Sequence, residues 1–274
     1  MTADRWLEVA REAGAAVARV LEELPGRADR ESFVRAGVGG DDTTAIDAAA
    51  EEAVVAILER VAEEGASFTL VSEELGERAF GASPDALRVV VDPIDGSLNA
   101  KRGIPFFSLS IAVADGPTIG DVFCGFVLDF GTGESWTAVR GEGARLDGRP
   151  LPGPGPKDDI EILSMEATTT ARLAEKAAAV TDWAYRTRVF GSLALSLCHL
   201  AAGRVDAVCS LKGARSVDIA AAQLLVRERG LAIDLPEAGP FADAPLDVGA
   251  RSRVVAAATP ERCAELFARL SSSR

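Results

Sequence analysis

Two aspartates stand three residues apart where an apolar run ends, in the segment VVVDPIDGSLNA (residues 89–100). The valines predict a buried strand, and Pro93 predicts that this strand ends at Asp92, because proline has no backbone N–H. Asp95 is suited to cap a helix that begins at the following Gly-Ser pair. A helix N-terminus favours phosphate, but two carboxylates beside it repel phosphate unless a cation lies between them. Oxygen ligands of this kind suit Mg²⁺.

Other acidic residues lie at the ends of predicted elements. Glu73 and Glu74 end the predicted strand SFTLVSEE, Asp47 lies in the first turn of a predicted helix, and Asp218 begins another. Each of these positions alone is typical of an ordinary strand end or helix cap. Together they favour a site for two or three Mg²⁺ ions, with Mn²⁺ as a possible substitute.

The rest of the composition excludes several other kinds of site. The chain has one histidine, His199, in an apolar helical pattern that predicts a core or boundary position. With a single histidine, an H-E-x-x-H zinc site is impossible. Neither a G-x-x-x-x-G-K-[ST] loop nor a G-x-G-x-x-G fingerprint occurs. The four cysteines form no C-x-x-C pair and are predicted to be reduced core thiols.

Charge and hydropathy limit which kinds of partner and which cellular location we expect for the protein. The net charge of -13 argues against a protein that binds nucleic-acid backbones. No run of apolar residues is long enough for a membrane span, and the charged start of the chain does not resemble a signal peptide. We therefore expect a cytoplasmic protein without nucleic-acid or membrane partners.

The 274 residues allow one large domain or two modest ones. Two amphipathic helices, two strands and an antiparallel meander over 105–140 are predicted before a proline- and glycine-rich stretch, 148–159. Strands and helices then alternate, which is typical of an α/β fold. The predicted division is an α+β domain, 1–150, which carries most of the acidic site residues, and an α/β domain, 151–274, which completes the site.

The motif VDPIDGS, preceded by SEE and followed by VDIAAAQLL, resembles the inositol monophosphatase and fructose-1,6-bisphosphatase superfamily of Mg²⁺-dependent, lithium-sensitive phosphatases. The resemblance runs from DDTTAID to LLVRERG and is closest to the archaeal-type bifunctional enzymes. It implies a layered αβαβα sandwich, a homodimer and a small phosphorylated substrate.

The resemblance also implies roles for individual residues. The implied metal ligands are Glu73, Asp92, the backbone carbonyl of Ile94, Asp95 and Asp218. The implied catalytic residues are Asp47 and Ser97, which orient the attacking water, and Glu74, which either supports the metal ligands from behind or acts as a general base. The implied substrate contacts are the N–H groups of Gly96 and Ser97 for the phosphate, with Gly191 and Ser192 in the pocket.

The sequence departs from the animal inositol monophosphatases just before the last metal aspartate. Leu211 stands where those enzymes carry a glutamate that binds the inositol hydroxyls. Lys212 and Arg215 follow, and they are predicted to bind substrate by holding a second phosphate or a sugar ring.

These observations favour hydrolysis of a sugar or inositol phosphate monoester by metal-activated water, as an inositol-1-phosphatase, a fructose-1,6-bisphosphatase or both. The alternative within the same superfamily is a 3'-phosphoadenosine 5'-phosphate or NADP phosphatase. A glycosidase with paired carboxylates is disfavoured by an aromatic content of 5%. A non-catalytic, metal-binding regulatory protein is a remote alternative, because no ligand position is lost.

Overall fold

The computed structural model describes residues 1–36, 42–151, 159–166 and 169–272. The α-helices in these ranges are α1 Ala3–Glu23, α2 Arg27–Glu31, α3 Ala45–Glu63, α4 Ser97–Arg102, α5 Thr170–Ala177, α6 Leu193–Ala201, α7 Ser216–Glu228 and α8 Pro260–Ser271. The strands are β1 Phe33–Ala36, β2 Asp42–Thr44, β3 Phe68–Ser72, β4 Gly76–Phe80, β5 Arg88–Asp95, β6 Ser108–Ala114, β7 Val122–Asp129, β8 Ser135–Val139, β9 Gly143–Leu146, β10 Arg149–Pro150, β11 Ile160–Glu166, β12 Ala184–Arg188, β13 Ala207–Ser210, β14 Ala232–Asp234 and β15 Val255–Ala257.

Two large sheets organise the chain. The first has the order β10-β9-β8-β7-β6-β5-β3-β4, and its neighbouring strands are antiparallel except for the parallel pair β3 and β5. The second has the order β12-β11-β13-β15-β14, with β11 parallel to both of its neighbours. The antiparallel meander predicted over 105–140 is confirmed as β6, β7 and β8. The sheets lie on either side of residue 150, but the division into two domains stays a prediction.

The side chains of each strand point alternately to the two faces of its sheet, and this produces the layers of the fold. Val89 and Val91 of β5 pack in one core cluster with α1 and α3, whereas Val90 packs in another with α6 and α7. In the second sheet, Val208 faces that same middle layer, and Cys209 packs with α8. Successive side chains of a strand point to opposite faces, so each sheet is covered on both sides. The order is α1 and α3, first sheet, α6 and α7, second sheet, α8, which confirms the predicted αβαβα sandwich.

The end of β5 differs from the prediction. The strand does not end at Asp92 but continues through Pro93 to Asp95. Asp92 pairs with Ser110 and Asp95 with Ser108, and the register shifts between these two pairs. Proline is tolerated inside a strand at such an irregularity, because the ladder does not need its missing N–H there. The shift presents both aspartates at the same end of the sheet.

The other sequence-level predictions for buried residues are confirmed. All four cysteines are free thiols in the core. His199 is half-buried, and its ring stacks on Phe106 and Phe190, with centroid distances of 5.5 and 6.1 Å. Among the described helices, none has the length and apolar character that crossing a bilayer requires.

Gly125 sets the distance between α7 and the first sheet. A Cβ atom at this position would lie 2.8 Å from the backbone oxygen of Ala221. Gly125→Ala is therefore expected to push α7 away and to lower the free energy of unfolding by about 1–3 kcal/mol, measured by urea denaturation. In the control Gly249→Ala, the nearest atom to the added carbon lies 3.7 Å away, and little change is expected. Equal effects of the two substitutions would contradict this account.

Candidate functional site

Three carboxylates converge between the two sheets. Glu73 follows β3, Asp92 lies on the neighbouring strand β5, and Asp218 lies in the first turn of α7. One oxygen from each of these side chains lies within 4.8 Å of the other two. The carboxyl ends of the parallel strands β3 and β5 meet at one edge of the sheet, and α7 in the middle layer delivers the third acid to that edge.

The cluster is electrostatically costly. Burial raises the pKa of Asp92 well above its usual value, and the neighbouring charges of Glu73, Asp95 and Asp218 raise it further. Burial also raises the pKa of Glu73 to about 8, although Arg215 acts in the opposite direction. The pKa of Asp95 is raised to about 7 by burial, against a hydrogen bond from Ser192. Such a group of acids is stable in its charged form only with a cation nearby.

The donor set fits a hard divalent cation. All the convergent atoms are carboxylate oxygens, the ligand type that Mg²⁺ and Mn²⁺ prefer. The Asp95 side chain accepts hydrogen bonds at Oδ2, from the Ser192 hydroxyl and from the Ala194 N–H at 2.8 Å, and its Oδ1 accepts none from the described residues. The carbonyl of Ile94 accepts a hydrogen bond from the Ser97 hydroxyl at 2.9 Å. Glu73, Asp92 and Asp218 would hold the ion, with Asp95 and the Ile94 carbonyl beside them.

A small cavity lies beside the cluster. Its volume of about 10 Å³ is about the least that holds a single water molecule. The three residues predicted to be catalytic, Asp47, Glu74 and Ser97, all line it, together with Glu73 and Asp92. The Oδ1 atom of Asp47 is buried and has no hydrogen-bond partner among the described residues. An unpaired, buried carboxylate oxygen at a cavity of this size is suited to accept a proton from a bound water.

The Asp47 side chain is held firmly by its other oxygen. Asp47 Oδ2 accepts hydrogen bonds from the N–H of Thr44 at 3.2 Å and from its hydroxyl at 2.6 Å. Lys101 Nζ lies 3.1 Å from the same oxygen. The hydroxyl of Thr43 donates a hydrogen bond to Glu74. Strand β2 and the start of α3 therefore position both Asp47 and Glu74.

A larger pocket of about 480 Å³ opens over the cluster. It is lined by all the predicted metal and catalytic residues and by the predicted substrate residues Gly96, Ser97, Gly191, Lys212 and Arg215. The predicted substrate residue Ser192 does not line the pocket. It is buried beneath it and bonds to Asp95.

The sequence also predicted a cap at Asp95, and this prediction is wrong for its own helix. Gly96, at a φ of 92°, is the N-cap residue of α4. The Asp95 carboxylate instead accepts from Ser192 and Ala194 at the beginning of α6. Asp95 thus joins the two halves of the chain, a role that local sequence does not indicate.

Sequence reasoning missed Glu166, a buried acid at the end of β11 that lines the pocket. Its carboxylate accepts hydrogen bonds from the hydroxyls of Ser164 and Ser196 at 2.6 and 3.0 Å. It also accepts from the N–H groups of Phe190 and Gly191 at 3.0 and 2.8 Å. Glu166 therefore fixes the turn that forms one wall of the pocket. A single acid after an apolar strand carries no sequence signal of this role.

The sequence indicated no definite role for three other polar residues that line the pocket, Asn99, Lys101 and Arg172. Lys101 pairs with Asp47, and the amide of Asn99 donates to the carbonyls of Phe106 and Phe190 at 2.8 and 2.7 Å. Arg172 of α5 lines the pocket and donates to the carbonyl of Leu211 at 2.8 Å. Their positions depend on contacts between elements that lie far apart in the chain.

The Gly191 turn has little space for a side chain. Gly191 has a φ of +88°, and a Cβ atom there would lie 2.9 Å from Asn99 Nδ2. We expect Gly191→Ala to lower the free energy of unfolding by about 1 kcal/mol more than Gly203→Ala does, measured by chemical denaturation. Gly203 has a similar φ of +71°, but nothing lies within 4 Å of its added carbon, so it isolates the backbone cost. Equal decreases in the free energy of unfolding for the two variants would show that the contact with Asn99 does not contribute to the cost of Gly191→Ala.

The raised pKa values of Glu73 and Asp95, about 8 and about 7, predict how pH acts on the metal-free protein. The folded state binds protons more tightly than the unfolded chain, so this contribution to stability is complete below the ordinary carboxyl range and is lost as pH rises through about 7–8. Tm measured in EDTA is therefore expected to be lower at about pH 8.5 than at about pH 6. The rise in Tm that added Mg²⁺ produces is expected to be larger at the higher pH. Calorimetry at both values tests this, and a Mg²⁺ effect that shrinks as pH rises would contradict it.

Comparisons with known proteins show the family to which the chain belongs. The Inositol monophosphatase family matches residues 3–274. A fructose-1,6-bisphosphatase/inositol-1-monophosphatase of Methanothermobacter thermautotrophicus is 34% identical over 265 residues, which cover 93% of each chain. The Nus factor SuhB of Pasteurella multocida is 32% identical over 82% of this chain and 81% of its own.

A solved structure of an inositol monophosphatase–fructose 1,6-bisphosphatase has a TM-score of 0.81 and 27% identity, and the match covers 96% of this chain and 99% of that one. The match therefore covers almost the whole chain. The chain therefore belongs to the inositol monophosphatase family of phosphoric monoester hydrolases.

Proposed function

We propose that this protein hydrolyses small sugar phosphates with Mg²⁺ as its cofactor, and that it accepts both fructose 1,6-bisphosphate and inositol 1-phosphate. The observation that carries the proposal is the convergence of Glu73, Asp92 and Asp218 within 4.8 Å at the floor of a pocket of about 480 Å³. A volume of this size suits a small phosphorylated sugar. The predicted cytoplasmic location and homodimer stay predictions.

The residues of the site divide the work of hydrolysis. A divalent cation, when bound, would neutralise phosphate charge and acidify a coordinated water. Asp47 accepts the proton of the water in the small cavity through its unpaired Oδ1, and the Ser97 hydroxyl helps to orient that water. The N–H groups of Gly96 and Ser97 contact the phosphate that is removed. Phosphoryl transfer depends mainly on such positioning and charge neutralisation, so the site needs no histidine.

The basic residues of the pocket favour a substrate with a second negative charge. Leu211 is buried and does not line the pocket, so the position of the glutamate that binds inositol hydroxyls in the animal enzymes offers no acid here. Arg172, Lys212 and Arg215 line the pocket instead. Basic side chains of this kind bind phosphate, and arginine can do so with two parallel hydrogen bonds. We therefore propose a preference for the bisphosphate.

Phosphate release from a panel of esters tests the proposal. The panel is fructose 1,6-bisphosphate, inositol 1-phosphate, 3'-phosphoadenosine 5'-phosphate and NADP, each with Mg²⁺ and with EDTA. We expect Mg²⁺-dependent release from the first two, with the larger kcat/KM for the bisphosphate. Release only from the two nucleotides would show that the pocket is built for a different substrate class. Release that persists in EDTA would contradict the assigned cofactor.

A further inference from the structure

Arg215 lies inside the carboxylate cluster. Its Nη2 atom contacts Glu73, and its Nε lies 3.3 Å from Asp218 Oδ1. The Arg215 side chain is only 12% exposed, and the two acids are 14% and 17% exposed. The guanidinium thus pairs with two of the three carboxylates that converge as potential cation ligands.

A guanidinium and a divalent cation cannot share these oxygens without cost. Arginine stays charged at any pH a protein tolerates, so Arg215 cannot reduce the repulsion by losing a proton. Two like charges a few ångströms apart in a partly buried site repel strongly. Glu73 and Asp218 can therefore bind a divalent cation well only after the Arg215 guanidinium has moved away.

The backbone allows this movement. The N–H of Arg215 donates to Asp218 Oδ2 at 2.8 Å, and this bond at the start of α7 involves no atom of the arginine side chain. The guanidinium can rotate about its side-chain bonds while Arg215 and Asp218 keep their places in the fold. Arg215 also lines the substrate pocket, so the side chain has a second place to go, where a substrate phosphate would be its partner.

We propose that Arg215 is an internal counter-ion that pairs with Glu73 and Asp218 in the metal-free protein, gives these carboxylates up to the divalent cation, and then contacts the anionic substrate. This inference rests on the proposed function. A metal that must first displace Arg215 binds more weakly than the carboxylates alone would allow. The reason is that only the fraction of protein molecules in which the guanidinium has moved away can bind it. An anion that holds the displaced guanidinium strengthens metal binding, and the metal strengthens anion binding equally.

Direct measurement of Mn²⁺ binding tests the inference without using activity. Free Mn²⁺ is measured by electron paramagnetic resonance during titration of the full-length wild type, Arg215→Met and Lys212→Met, each with and without inorganic phosphate. We expect Arg215→Met to bind Mn²⁺ about tenfold more tightly than the wild type without phosphate, and phosphate to strengthen binding less in this variant. Lys212 lines the same pocket and has no ion pair with the described residues, so Lys212→Met controls for the loss of one positive charge.

Thermal unfolding of the metal-free proteins adds a second readout. Without the guanidinium, the buried carboxylates lose their counter-ion, so Arg215→Met is expected to have a lower Tm than the wild type in EDTA and a larger rise in Tm with Mn²⁺. If metal-free Arg215→Met does not fold, the Mn²⁺ affinity of Arg215→Lys is compared with that of the wild type instead. Lysine offers a point charge in place of the two-pronged contact, and the variant is expected to bind Mn²⁺ more tightly than the wild type.

The outcomes separate the inference from the proposed function. Mn²⁺ affinity that is unchanged or weaker in Arg215→Met, or in Arg215→Lys where that variant decides, overturns the counter-ion role while the phosphatase proposal stands. Equal tightening in Arg215→Met and Lys212→Met also overturns it, because net charge alone would then explain the effect. If the wild type binds no Mn²⁺ with or without phosphate, both the proposed function and the inference fail.

Discussion

Asp92→Asn is expected to reduce kcat/KM for phosphate release by about a thousandfold or more. Asp92 is the most buried of the three convergent carboxylates. Asparagine removes one of the charges that hold the cation, and a catalytic metal supplies several kcal/mol of transition-state stabilisation. Steady-state kinetics with saturating Mg²⁺ measures the loss.

The same substitution is expected to preserve the fold. The N–H of Ile94 donates to Asp92 Oδ1 at 3.0 Å, and an asparagine oxygen can accept this bond. Because asparagine avoids the cost of burying an acid among other carboxylates, Tm in EDTA should rise, while the gain in Tm with Mg²⁺ should largely disappear. Asp115→Asn is the control, because Asp115 is exposed and pairs with Arg140 away from the pocket. Wild-type turnover by Asp92→Asn would refute the metal assignment.

Asp47→Asn is expected to lower kcat by about 10²- to 10⁴-fold, the range of general acid–base catalysis. Asp47 lines the small cavity, and its buried Oδ1 has no hydrogen-bond partner among the described residues. An asparagine can keep its oxygen toward Thr44, where it still accepts the two hydrogen bonds at the start of α3. The amide nitrogen then takes the place of the oxygen that would accept the proton, so chemistry fails while the helix start is kept.

Two measurements show whether the loss arises at this oxygen. KM and the Mn²⁺ affinity of Asp47→Asn are expected to stay within about threefold of wild type if Asp47 acts on the water rather than on the ion. Lys101→Met removes the cation that pairs with Asp47 Oδ2 and should lower kcat far less. A large loss of Mn²⁺ affinity in Asp47→Asn would instead make Asp47 a metal ligand.

Local sequence predicted most elements because their periodicity is strong. The helices α1, α3, α6, α7 and α8 and the strands around the acidic residues lie where apolar spacing indicates them. Strand β4, Gly76–Phe80, was missed because its three middle residues are exposed and lack alternation. Pairing with the buried strand β3 makes it a strand. Strand β14, Ala232–Asp234, was missed because three residues are too short for a pattern, and only its pairing with β15 defines it.

The sequence alone determined which residue types are available for chemistry and at which ends of elements they lie. Acids at the ends of β3 and β5 and at the start of α7, with a single histidine, already indicate oxygen-ligated metal chemistry. Only the tertiary structure decided which of them meet. Packing of α7 against the first sheet brings Asp218 close to Glu73 and Asp92. The backbone N–H of Ala194 at the start of α6 donates a hydrogen bond to one carboxylate oxygen of Asp95. The pairing of Arg215 with Glu73 likewise needs both elements in place, because contacts between residues far apart in the chain depend on packing and not on local spacing.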